Sequence, residues 1–177
     1  MKQKTLFLSV CILILCLLSG CVITPGQSKP VISDDTVTVH LFAKDYIGKE
    51  KAEVESLLGG FVQEEYYNGG LIYKFARSDM WFWFGVYSAP YAEVPSDATC
   101  CLVIAPLTEA AVFETETVSA NELSEKLGFS FTEPTYNELD CLYNYAAEQD
   151  GISCFVTCAD DGTVFVNEDI ANYTLAK

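Results

Sequence analysis

The chain has 177 residues, with 25 acidic against 10 basic side chains and a net charge of −15 at pH 7. Such a length suits one domain with a real core, and so acidic a chain disfavours nucleic acid and is repelled by anionic headgroups. The sequence holds 1 histidine and no G-x-S-x-G, H-E-x-x-H or phosphate loop, so neither an enzyme nor a cofactor is expected.

Lys2 and Lys4 open the chain, and Leu6 to Leu18 is apolar throughout except for Ser9. A basic start, a short apolar run and small residues after it make a secretory signal. The run is shorter than the ~20 apolar residues of a membrane-spanning helix. It closes on Leu18-Ser19-Gly20-Cys21, which resembles the lipobox of bacterial lipoproteins, Leu-(Ser/Ala)-(Gly/Ala)-Cys. The resemblance implies that residues 1–20 are a signal peptide and that the Cys21 thiol carries a diacylglyceryl group. It also implies that cleavage leaves Cys21 as the first residue, anchored to the extracytoplasmic side of a cell membrane. Two acyl chains suffice for stable anchoring. Losing Lys2 and Lys4 makes the chain more acidic still, so lipid rather than charge must hold it there. Val22 to Thr36, VITPGQSKPVISDDT, is rich in Pro, Gly, Ser and Asp; residues 21–36 read as a flexible tether. An edge strand over Thr36 to Phe42 is expected to follow it.

Gly48 to Gly59 reads GKEKAEVESLLG. Val54, Leu57 and Leu58 fall on one helical stripe, and Gly59-Gly60 ends the helix. Thr117 to Gly128, TVSANELSEKLG, repeats the pattern: Glu53 matches Glu122, Val54 matches Leu123, Leu58 matches Leu127 and Gly59 matches Gly128. In the second copy Ser119 and Glu122 read as a capping box, with Val118 and Leu123 as a hydrophobic staple. Glu50 takes the N-cap place in the first. Strands are expected over Leu71 to Phe75, Met80 to Tyr87 and Cys100 to Ala105, with a further one between Leu107 and Thr117. After the second helix they are expected over Cys141 to Ala147, Ile152 to Ala159, Thr163 to Val166 and Asn172 to Leu175. Asp150-Gly151 and Asp161-Gly162 are hairpin-turn signals. The fold class that follows is α+β: two tandem helix-then-three-strand units, 37–116 and 117–177, sharing one antiparallel sheet with the helices on one face.

Gly48, Glu53, Val54, Leu58 and Gly59 resemble the helix motif of the SmpA/OmlA outer-membrane assembly lipoproteins and of the β-lactamase inhibitor protein. Glu50 departs from the Ser or Thr of that motif, which Ser119 supplies in the second copy. The resemblance implies helices packed on a sheet whose other face holds a protein partner, and no enzymatic activity.

In MWFWFGVY, alternation puts Met80, Phe82, Phe84 and Val86 on a purely apolar face. Trp81, Trp83, Gly85 and Tyr87 take the other, whose polar ring tips suit a half-wet surface. Tyr73, Tyr143 and Tyr145 are expected to join Trp81, Trp83 and Tyr87 in a partner-binding face, with Tyr66, Tyr67 and Tyr91 nearby. Five cysteines remain after the signal and Cys21: Cys100, Cys101, Cys141, Cys154 and Cys158. A four-residue loop over Glu148 to Gly151 would set Cys141 across from Cys158 for a disulfide; the competing reading is five small buried hydrophobes. No CxxC spacing points to zinc. Asp160-Asp161-Gly162 is too short for a calcium loop and reads as a turn. His40 reads as an ordinary strand or surface histidine. The expected function is a lipid-anchored extracytoplasmic binding module for a protein or peptide, the alternative being a structural or assembly component of a cell-envelope complex.

Overall fold

The computed structural model describes residues 41–85 and 93–176, all within the compact unit His40–Lys177. The signal segment, Cys21, the tether, His40, Val86, Tyr87 and Tyr91 lie outside the described residues, as does most of the expected first strand. Leu41 and Phe42 are irregular and lead into a 3-10 turn, Ala43–Tyr46.

Helix α1 spans Lys51–Leu58, with Glu50 as its N-cap and no side-chain cap bond. It is followed by β1 (Phe61–Tyr67), β2 (Gly70–Phe75), β3 (Trp81–Trp83) and β4 (Leu102–Pro106). A four-residue helix α2, Leu107–Ala110, and a two-residue strand β5, Thr117–Val118, come next. They replace the single strand expected between Leu107 and Thr117, because Pro106 opens a helical turn there. Helix α3 spans Ala120–Leu127, and the Glu122 backbone N–H donates to Ser119 Oγ at its start. Gly128, at φ 72° and ψ 34°, ends it in the left-handed conformation, which glycine adopts without steric cost. Then come β6 (Thr135–Asn137), β7 (Leu142–Gln149), β8 (Ile152–Cys158), β9 (Val164–Phe165) and β10 (Ile170–Leu175).

Eight strands form one sheet in the order β1-β2-β3-β4-β10-β8-β7-β6, every neighbouring pair antiparallel; β5 and β9 make a separate two-stranded ladder. Each eight-residue helix thus precedes four strands of the sheet, not the three expected. The additions are β1 and β6, one at each edge, while 163–166 leaves the sheet as β9. The Asp150-Gly151 signal holds: both residues have positive φ, and Gln149 pairs with Ile152 around a two-residue turn. A second turn of the same kind, Asn68-Gly69, joins β1 to β2, with Tyr67 facing Gly70.

That tight turn rules out the Cys141–Cys158 disulfide, the reading that depended on a four-residue loop. A two-residue connection puts Ala147 opposite Cys154 and Tyr143 opposite Cys158. Cys141 falls beyond the ladder at φ 58°, and its thiol donates to the Glu138 carbonyl. All five cysteines are free.

The core lies between the helices and one side of the sheet. Val54 and Leu58 from α1, Leu107 from α2, and Leu123 and Leu127 from α3 join one cluster with Tyr73, Phe75, Phe82, Val103, Val156 and Tyr173. Phe82 packs edge-on against Tyr46 and Phe75, at centroid distances of 5.5 and 5.3 Å. Each such ring removed from water contributes about 1.5–3 kcal/mol, with roughly 0.5–1.5 more for edge-to-face geometry. Lys51 is also buried; its ammonium sits 5.4 Å from the Tyr73 ring centre and 5.8 Å from that of Phe61.

Candidate functional site

Register decides which side chains share a face. Tyr73, Phe82, Val103, Tyr173, Cys154 and Ala147 stand in one row across six strands, and this row faces the helices. The neighbouring rows, one residue away along each strand, must face the other way. One runs Glu65, Ile72, Trp83, Leu102, Thr174, Ser153, Glu148; the next contains Lys74, Trp81, Ile104, Asn172, Phe155 and Ala146. None of these residues belongs to the helix-side core cluster.

Trp81 and Trp83 therefore lie together on the open face, half-buried, while Met80, Phe82 and Phe84 beside them are buried. The alternation expected within MWFWFGVY is the one observed over 80–84. Tyr73, Tyr143 and Tyr145 do not join the tryptophans. Their register turns all three toward the helices, because each sits an odd number of positions from the open-face rows. Tyr73 is 3 % exposed and Tyr145 4 %. Burial, reinforced by Glu64, holds the Tyr73 hydroxyl above its ordinary pKa. Tyr145 donates to the Gly162 carbonyl at 2.8 Å, and burial raises its pKa as well. Tyr143 packs against Tyr136 at 5.2 Å on the same side.

The open face is hollow. Seven strand spacings of about 4.8 Å would hold the two edges of a flat sheet roughly 34 Å apart. Yet Tyr67 and Asn68, at the β1 edge, and Asn137 and Asp140, at the β6 edge, line one cavity of about 450 Å³. The sheet must curl, and the two contributing turns lie at diagonally opposite corners, the corners that strand twist lifts over a common face. Trp83, Leu102, Phe155 and Thr174 form the floor. The same four residues border a second hollow of about 660 Å³, which runs past Cys101 to Leu175 and Ala176. Such volumes are in the range of ligand sites, roughly 300–1,000 Å³.

Side chains that stay accessible here are larger and more apolar than a solvated sheet face needs. Tyr67 is 43 % exposed, Leu142 44 %, Phe155 41 %, and Leu139 at the rim 95 %. The polar share is mostly carboxamide: Asn68, Asn137, Asn144 and Asn172. The Leu139 N–H donates to Asn137 Oδ1 at 3.0 Å, which fixes the turn that carries Asp140.

Phe155, Asn172 and the Asn68 turn were not anticipated in the sequence. The Asn-Gly dipeptide at 68–69 was the available signal, since it marks a two-residue hairpin and so implies a strand before it. Among the described residues nothing gathers here as a nucleophile with its base, and no three His, Cys, Asp or Glu side chains come together as metal ligands. No protein-family model matches the chain, and neither a curated protein nor a solved structure matches it.

Proposed function

We propose that this chain is a lipid-anchored extracytoplasmic binding module, tethered through Cys21, which holds a protein or peptide partner in the hollow face of its sheet. One observation carries the reading: among the described residues the helices cover a single side of the sheet, and the other side presents Trp83 and Phe155 in two adjoining cavities, with Tyr67 lining the first and Trp81 on the same face beside them. Aromatic side chains that are rigid, partly accessible and grouped are the usual anchors of protein interfaces. Leu139 and Leu142 at the rim extend the same surface beyond what a small ligand would need.

The finer architecture belongs to this proposal. We take 37–116 and 117–177 as two copies of one helix-led unit, similar to the units of the SmpA/OmlA lipoproteins and the β-lactamase inhibitor protein. In support, α1 and α3 have equal length, each precedes four strands of the sheet, and the last of each set, β4 and β10, pair antiparallel at its centre. That arrangement is what a two-fold relation between copies requires.

The test is photocrosslinking in envelope preparations, with a crosslinker at Leu142. Trp81→Ala with Trp83→Ala should abolish the crosslinked species, whereas Tyr143→Ala on the helix side should leave it. Unchanged crosslinking by the tryptophan variant, with its circular dichroism intact, would reject the face. Cys21→Ser should release the protein from membranes.

A further inference from the structure

We infer that the 450 Å³ cavity takes a cationic side chain, a guanidinium above all, presented by the partner. This inference rests on the reading of the open face as a docking surface, and it names what the partner must offer there.

The cavity excludes anions. Among the described residues that line it, Asp140 is the only charged one and none is basic. Among the described strand residues Lys74 is the only base whose register faces the open side, and it is already paired with Asp79 at 2.8 Å. The row through Trp83 has a glutamate at either end, Glu65 and Glu148. In a chain of net charge −15, such a hollow draws cations and repels phosphates and carboxylates.

The cavity also disfavours a purely apolar plug. Asn144 and Asn172 are half-buried, and their carboxamides make no hydrogen bond to any described residue. Covering them with hydrocarbon would strand polar groups, at about 1–3 kcal/mol each. A guanidinium meets both demands. Its plane stacks on aromatic faces, here Trp83, Tyr67 and Phe155, and its five N–H donors suit the Asp140 carboxylate and the carbonyl oxygens of Asn144 and Asn172. An ammonium matches the charge but not the stacking. A neutral sugar ring would satisfy the carboxamides and stack, but it makes no use of the carboxylate or of the surrounding field.

The experiment uses the full chain, ¹⁵N-labelled, in detergent solution. The protein has 2 tryptophans, so two indole N–H signals report on the face, and Trp81→Phe assigns them. N-acetyl-arginine amide should shift the Trp83 signal saturably. N-acetyl-citrulline amide, of the same shape without the charge, should bind at least tenfold more weakly, and Asp140→Asn should weaken the arginine probe by about tenfold, the equivalent of one lost charged contact. Equal response to citrulline, no response to arginine, or indifference to Asp140→Asn would overturn the inference. A shift with a neutral chitin trisaccharide and none with arginine would assign the cavity to glycans and overturn it too. If the arginine probe fails while crosslinking still depends on Trp81 and Trp83, the docking face stands and only the cation falls; if both fail, both fall.

Discussion

Phe82 and Trp83 are chain neighbours on one short strand, and the structure assigns them opposite duties. Phe82 is 0 % exposed and lies in the helix-side core, with edge-to-face contacts to Tyr46 and Phe75. Phe82→Ala removes those contacts and leaves a cavity that α1, packed through Val54 and Leu58, cannot refill. The expected cost is about 3–5 kcal/mol, a large part of a total stability of roughly 5–15 kcal/mol, and a fall in melting temperature of roughly 10–15 °C. Trp83 is half-buried on the open side, bordered by Ile72 and Leu102 in its row. Trp83→Ala opens an already open hollow, so its expected cost is about 1–2 kcal/mol. Urea titrations followed by far-ultraviolet circular dichroism measure both on one scale. The comparison is clean because the two positions share a backbone segment, a strand and a sequence context. Equal losses would mean that Trp83 is packed as tightly as Phe82, and the claim that this side of the sheet awaits a partner would fail with it.

Lys51→Ala should destabilise the fold by about 1–3 kcal/mol, through lost cation–π contacts with Tyr73 and Phe61 and lost stem packing; Lys51→Met should recover part of this in the same titration. Burial pushes the Cys154 thiol up to about 12 and the Cys158 thiol up to about 11, from an ordinary value of 9.0. The folded chain therefore holds these protons longer than the unfolded one, so their contribution is full below pH 9 and is lost as pH rises toward 11–12; urea midpoints measured from pH 8 to 11 should fall, and a rise would contradict the burial. Under native conditions a thiol reagent should modify exposed Cys141 first and leave Cys100 and Cys154 unmodified until unfolding, as mass spectrometry of timed aliquots will show. Gly162→Ala should cost about 1–3 kcal/mol. Its new methyl carbon would stand 2.8 Å from Tyr145 Oη at a backbone φ of 83°, which breaks the bond from that hydroxyl to the Gly162 carbonyl; an unchanged melting temperature would show the turn to be pliant.

The helices were legible because their cues are local. A cap at Ser119, stops at Gly59 and Gly128 and a stripe of Val54, Leu57 and Leu58 need no knowledge of the rest of the chain, although Leu57, 40 % exposed, falls outside the buried part of that stripe. The alternation over residues 80–84 was legible for the same reason. What failed is non-local. FVQEEYY over 61–67 is exposed at every position, so this edge strand carries no hydrophobic alternation, and only the Asn68-Gly69 turn betrays it. Tyr73, Tyr143 and Tyr145 were placed by residue type, whereas their face is set by register, and register passes from strand to strand through turns. The same dependence undid the Cys141–Cys158 pairing: a two-residue turn in place of a four-residue loop slides every partner along. The cavity itself was out of reach, since it exists only because two distant turns are lifted over one face.

The central position of β10 carries a further consequence. Its partners β4 and β8 both precede it in the chain, so each stack of strands keeps a raw edge until β10 arrives to stitch them together. While the chain emerges from its N-terminus, the middle of the sheet is then the last part that can close. A nascent or translocating chain stalled before residue 170 would carry two sticky seams, and those seams are where misassembly between neighbouring copies would start.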